Sequence, residues 1–169
     1  MRTVNIGRVV LYTALAAVVA WGVYLAGVAS GERREQKQLQ TTVSTEQSLL
    51  YRINKVREER KLPLLQADKT LDVTAQLKAE DMAKLNYWSH DRPDGERWYN
   101  TIYGNRPGSN LVGENLGKCF ADRGELVAAW VASPSHLANI VNPEFTKFGE
   151  YTVWDADQAC FISVNHFAR

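Results

Sequence analysis

The chain has 169 residues, 45% of them hydrophobic and 23% charged, with a formal net charge of +1. That length suits one domain of ordinary size plus an extra segment. The hydrophobic content excludes a chain that stays disordered, and the charge balance excludes a dedicated nucleic-acid binder, which would carry a basic stripe.

Residues 1–8 read as a short cytoplasmic stub. Residues 9–29, VVLYTALAAVVAWGVYLAGVA, carry no charge. About twenty apolar residues suffice to cross a bilayer as a helix. A signal peptide's apolar region is shorter, about 7–15 residues, so the run predicts an uncleaved single-pass anchor. The alternative is cleavage after Val28-Ala29-Ser30, which would leave a secreted protein. Arg2 and Arg8 precede the run and Arg33, Arg34 and Lys37 follow it, so basic charge does not choose an orientation. Residues 30–45 are polar, lack a core pattern and read as a juxtamembrane linker.

The folded domain is expected over 46–169. Ser44 with Gln47 fits a capping box, and Leu49, Ile53 and Val56 follow at helical spacing until Pro63 ends the helix. Asp68 is a good N-cap for a second helix, whose buried stripe is Leu71, Ala75, Ala79, Met82 and Leu85. From Asn86 to Leu111 the pattern breaks at Pro93, Gly95, Gly104, Pro107 and Gly108. This stretch is an irregular loop, with a short helical turn that docks Trp98 and Tyr99. A third helix takes Asp122 as its cap, and a fourth starts at Ser133-Pro134, an N-cap followed by proline at the first helical position. Phe148–Trp154 and Ala159–Phe167 alternate as strands around a turn at Asp155–Gln158. Helices first and strands last describe an α+β domain. Cys119 and Cys160 fit no zinc spacing; outside the cytosol they would pair as a disulfide, and inside they would be buried thiols.

LPLLQAD leads into a helix that ends AEDMAKLNYWSHDRPDG. GENL, ELVAAW, SPSHLANIVNPEFTKFGEYTV and an aromatic last strand follow in that order. Together these resemble the CAP superfamily of cysteine-rich secretory, antigen 5 and pathogenesis-related proteins, in its short bacterial SCP-domain form, over about residues 46–169. The resemblance implies an α–β–α sandwich with a small antiparallel sheet between helical layers, and a groove lined by two histidines and two glutamates. Carried over residue by residue, these are His90 of the SH motif, Glu114 of GEN, Glu125 five residues before Trp130, and His136 of SPxH. The family's arginine after the second histidine is Leu137 here, which removes any polar contact it would make. The resemblance and the cysteine pair together imply a cytoplasmic N-terminus, an outside domain and a Cys119–Cys160 disulfide.

Each residue has a plainer role to set beside this one. His136 could simply pack at a helix start, Glu125 could complete a capping box with Asp122, Glu114 could sit solvated in a turn, and His90 could cap a helix end. His166, in the last strand, matches no family position and reads as structural or surface. Two imidazoles and two carboxylates suit a divalent cation such as zinc, with His90 and His136 as its ligands. The helix start around His136 disfavours an imidazolium and keeps that ring neutral. The functional expectation is a membrane-anchored binding domain outside the cell whose ligand is a lipid, a cell-wall glycan or a peptide. The alternative is a metal-dependent hydrolase with Glu114 or Glu125 as base. Trp88, Trp98, Tyr99 and Tyr103 could line the groove, or could be ordinary core. A serine nucleophile at Ser89 or Ser135 is disfavoured, because neither sits in a nucleophile elbow.

Overall fold

The computed structural model describes residues 30–37 and 48–169. Contacts divide the chain into two units, Met1–Thr45 and Glu46–Arg169. In the first, residues 30–37 are helical and exposed. The expected anchor at 9–29 and the Ser44 capping box lie outside the described residues. Among the described residues, no helix is long and apolar enough to cross a membrane.

The second unit begins with α1 (Leu49–Glu59), capped by the Ser48 side chain, which accepts from the Tyr51 amide. A short β1 (Gln66–Ala67) follows. Helix α2 (Lys69–Leu85) starts where Asp68 accepts from the amides of Thr70 and Leu71, and stops at Asn86 in the left-handed region. Of its expected stripe, Leu71, Ala75, Ala79 and Met82 are fully buried, while Leu85 is exposed. The loop region contains a true helix, α3 (Trp98–Asn105). After it come β2 (Val112–Lys118), α4 (Arg123–Ala132), α5 (Pro134–Ile140), β3 (Lys147–Asp155) and β4 (Cys160–Ala168).

The sheet order is β1-β3-β4-β2. β3 and β4 form the expected hairpin, and β2 pairs antiparallel on the other side of β4. β1 runs parallel to β3, so the sheet is mixed rather than purely antiparallel. A crossover through α2 carries the chain from one edge of the sheet towards the other, and only two residues are needed for that parallel pairing.

Side chains alternate across these strands, and the two faces bury different layers. On one face, Ala75, Ala79 and Met82 of α2 pack against Leu116, Ile162 and Val164. On the other, α1, α4 and α5 cover Phe145, Phe148 and Phe167, with Trp130 of α4 at the centre. This is the α–β–α layering that the resemblance implies. α2 lies so close to the sheet that a Cβ on Gly149 would come within 2.2 Å of the Leu71 backbone. Cys119 and Cys160 form a disulfide that joins the end of β2 to the start of β4.

Candidate functional site

The stretch Gly113-Glu114-Asn115 belongs to β2, one of the two edge strands of the sheet. The expected turn is therefore a strand, and Glu114 is sealed rather than solvated. A Cβ on Gly113 would come within 2.9 Å of the Phe145 ring and the Asn139 side chain, so only glycine lets α5 and the following loop approach. The next two residues point to opposite faces.

Glu114 points to the α2 face. Its carboxylate accepts from His90 Nδ1–H at 2.6 Å and from His166 Nε2–H at 2.9 Å. The Glu114 and His166 side chains are 0% exposed, whereas His90 is 50% exposed. On the far side of His166, its Nδ1 lies 2.8 Å from the Thr74 hydroxyl of α2. Burial alone would push the Glu114 carboxyl up. The hydrogen bonds from His166 and His90, with the Lys78 charge nearby, outweigh burial and hold it below its ordinary value. Glu114 is thus a buried carboxylate that grips one nitrogen of His90 and leaves the other, Nε2, on an exposed ring.

His90 is also held through its backbone. Lys78, buried in the middle of α2, donates to the carbonyls of Ser89 (2.8 Å) and His90, and to the Tyr87 hydroxyl at 3.2 Å. Burial pushes the Lys78 ammonium down from its usual range. Tyr87 in turn donates to Asp81 at 2.6 Å, and Arg92 donates twice to the same carboxylate, at 2.9 and 3.1 Å. The loop carrying His90 is therefore fastened to α2 at several points.

Asn115 points the other way and holds α5. It donates to the His136 carbonyl at 3.1 Å, and its oxygen accepts from Asn139 at 2.8 Å. Asn139 also donates to the Glu114 carbonyl at 3.0 Å. His136 Nδ1 lies 3.0 Å from the Ser133 hydroxyl, so its Nε2 is left without that partner. Ser133 spends its side chain on His136 and makes no side-chain cap for α5. Partial burial, and then the charge of His90, push the His136 imidazole below its ordinary value. The two imidazoles are therefore carried by chain segments on either side of the same edge strand.

The second carboxylate joins none of these hydrogen bonds among the described residues. Glu125 is exposed on the first turn of α4, where its amide donates to Asp122 at 3.0 Å, and no hydrogen bond joins it to His90, Glu114 or His136 among the described residues. Among those residues, no group of three or more His, Cys, Asp or Glu is placed to hold a metal ion. The structure thus assembles His90, Glu114 and His136 around β2 and adds His166, a buried partner rather than a surface residue. A signal for it was present. Ile162, Val164 and His166 share one parity of β4 (Cys160–Ala168), so a histidine there falls among inward apolar side chains and needs a buried partner.

Aromatic rings continue from the exposed histidine. His90 and Trp98 lie 6.4 Å apart between centroids, Trp98 and Tyr99 5.7 Å, and Tyr99 and Tyr103 5.8 Å. Beside Trp98 is a cleft of about 220 Å³ walled by Lys78, Asp81, Arg92, Glu96 and Arg97. Trp88 stands apart from this row under the Lys118 ammonium, 5.2 Å from the ring.

A mixed sheet between helical layers, with histidines brought from both sides to an edge strand carrying GEN, defines a CAP-type domain. The model of the cysteine-rich secretory protein family matches residues 50–162, and the chain belongs to that family. YkwD of Bacillus subtilis, an uncharacterised protein, is 33% identical over 104 residues, which are 62% of this chain and 40% of that protein. An outer surface protein from Borrelia burgdorferi superposes with a TM-score of 0.66 at 26% identity, over 72% of this chain and 89% of that one. An extracellular SCP-domain protein from Bacillus anthracis gives 0.64 at 28% identity, over 72% of this chain and 39% of that one. The chain thus spans well under half the length of the Bacillus proteins.

Proposed function

We propose that the chain is an extracytoplasmic binding domain, held at the cell surface by residues 9–29, which takes a sugar-containing cell-envelope ligand at the β2 edge. The observation that carries this reading is the buried Glu114 carboxylate gripping His90 Nδ1. It fixes the ring beside Trp98 with its other nitrogen outward. Flat aromatic faces stack on sugar rings, and the charged walls of the adjoining cleft offer donors and acceptors to hydroxyl groups. The cleft is lined by Leu77 and Trp98 as well as by Lys78, Asp81, Arg92, Glu96 and Arg97, so it is the charged groups, which suit hydroxyls, that favour a glycan over a lipid tail. The disulfide fits an oxidising compartment, and the N-terminus is then cytoplasmic.

Among the described residues no group of three or more ligating side chains is assembled, so a divalent ion such as zinc would rest on the two histidines. His90 and His136 each engage Nδ1 and leave Nε2 for coordination. Zinc usually takes three or four protein ligands, and the residues brought together supply two nitrogens, so water or the ligand itself would complete the set. Bound there, the ion would offer positive charge to an anionic or hydroxyl-rich ligand. Glu114 is a poor base for hydrolysis, because both of its oxygens already accept from imidazoles and its side chain is sealed. Glu125 is exposed and makes no hydrogen bond to either histidine among the described residues. Binding is therefore favoured over hydrolysis.

The reading is tested by titrating the purified protein with soluble peptidoglycan fragments. Saturable binding that weakens about tenfold in Trp98→Ala, a loss of about 1.4 kcal/mol, supports it. Binding to phospholipid vesicles but not to the fragments would replace the glycan with a lipid.

A further inference from the structure

We infer that His166 is a positioning residue for this site: by holding the second oxygen of Glu114, it sets which nitrogen of His90 faces outward. Glu114 Oε1 serves His90, and Oε2 serves His166. A carboxylate on a flexible side chain has several rotamers; with one oxygen fixed by a fully buried imidazole, only the arrangement that offers Oε1 to the exposed loop remains. His166 is itself fixed by the strand that carries it and by the Thr74 hydroxyl at 2.8 Å. The chain Thr74–His166–Glu114–His90 therefore runs from the rigid middle of the sheet and α2 to a half-exposed ring. It converts core packing into a fixed ring at the surface: His90 keeps a proton on Nδ1, so its neutral form carries the lone pair on Nε2. That is the form able to accept a hydrogen bond or coordinate an ion. Partners of this kind, behind a ligating histidine, commonly change metal affinity about 10–100-fold when removed. Only the consequence for ligand binding rests on the function proposed above; the tautomer does not.

The test uses the whole protein with nitrogen-15 in its histidines, of which there are three. In the unaltered protein, His166 Nε2 is expected to be protonated and slow to exchange, and His90 to carry a proton on Nδ1. In His166→Leu, His90 is expected to populate both tautomers, and affinity for zinc ion alone to fall about tenfold or more. His166→Gln keeps a donor near the Nε2 position and is expected to restore both. Thr74→Val, a milder change at the far end of the chain, is expected to shift His90 in the same direction by less. An unprotonated His166 Nε2 in the unaltered protein overturns the inference, as does an unchanged His90 tautomer in a folded His166→Leu. Should His166→Leu fail to fold, the protonation of the unaltered protein and the Thr74→Val shift still decide. If the tautomer shifts as expected and zinc binds nowhere, the positioning role stands and the metal part of the proposed function falls.

Discussion

The two faces of the sheet both bury a charge, and they neutralise it differently. On the α1/α4/α5 face, Arg57 is fully buried among aromatic and aliphatic side chains. It donates to four backbone carbonyls, those of Pro63 (2.7 Å), Ile140 (2.8 Å), Asn142 (2.9 Å) and Phe145 (3.1 Å). On the α2 face, Glu114 accepts from two imidazoles. Carbonyls do not titrate, so Arg57 is a clamp that ties α1 to the end of α5 and the loop before β3 under all ordinary conditions. Imidazoles do titrate and can exchange partners, so Glu114 sits in an arrangement that pH and ligands can alter. The same fold thus holds a structural charge on one side and a responsive one on the other.

Several changes would break or sharpen that contrast. The largest effect is expected where both faces share a tie. Replacing Cys119 and Cys160 by serine removes a loop closure of 41 residues, worth about 4 kcal/mol in the chain-entropy model, and should lower the denaturation midpoint without changing the pH profile. Gly149→Ala drives a methyl into the Leu71 backbone and should cost about 3 kcal/mol, since α2 must lift from the sheet. Because α2 carries Thr74 and Lys78, the same change should disturb the His90 resonances. Arg57→Met leaves buried carbonyls without a donor and should cost about 2–3 kcal/mol, with the same loss at pH 5 and pH 8. If that loss varied strongly with pH, the clamp reading would be wrong.

Glu114 predicts the opposite behaviour. Its carboxyl lies below its ordinary value when folded. The folded protein therefore binds this proton less readily than the unfolded chain, and stability from the group is present above the unfolded carboxyl value and lost as pH falls through the lower folded one. Denaturant midpoints should thus drop steeply in that acid range, and Glu114→Gln should flatten the drop. The smallest effect belongs to Glu125→Ala, an exposed change that should alter stability by no more than about 0.5 kcal/mol.

Much of this arrangement was legible from residue patterns. The caps at Asp68 and Asp122, the Ser133-Pro134 helix start and the final hairpin follow from local chemistry that acts over a few residues. Strand β2 escaped because Val112-Gly113-Glu114-Asn115-Leu116 does not alternate apolar with polar. Its inward positions on the α2 face are Glu114 and Leu116, and the polar member is explained only by His90 and His166, which are distant in sequence. β1 escaped because two residues paired to β3 carry no pattern at all. Lys78 falls within the buried stripe of α2, between Ala75 and Ala79, and its partners are carbonyls of a loop with no periodic signature. Long-range polar pairing is thus where local reading ends. The family resemblance supplied Glu114, His90 and His136, and it also supplied Glu125, which the structure leaves on the surface of α4.

His90 and His136, tied to one edge strand through Glu114 and Asn115, are proposed to form one binding site. Calorimetric titration of the whole protein with zinc tests it most directly. One ion is expected to bind, at least tenfold more weakly in His90→Ala and in His136→Ala and equally well in Glu125→Ala. Binding that survives loss of either histidine, or that depends on Glu125 instead, would contradict it.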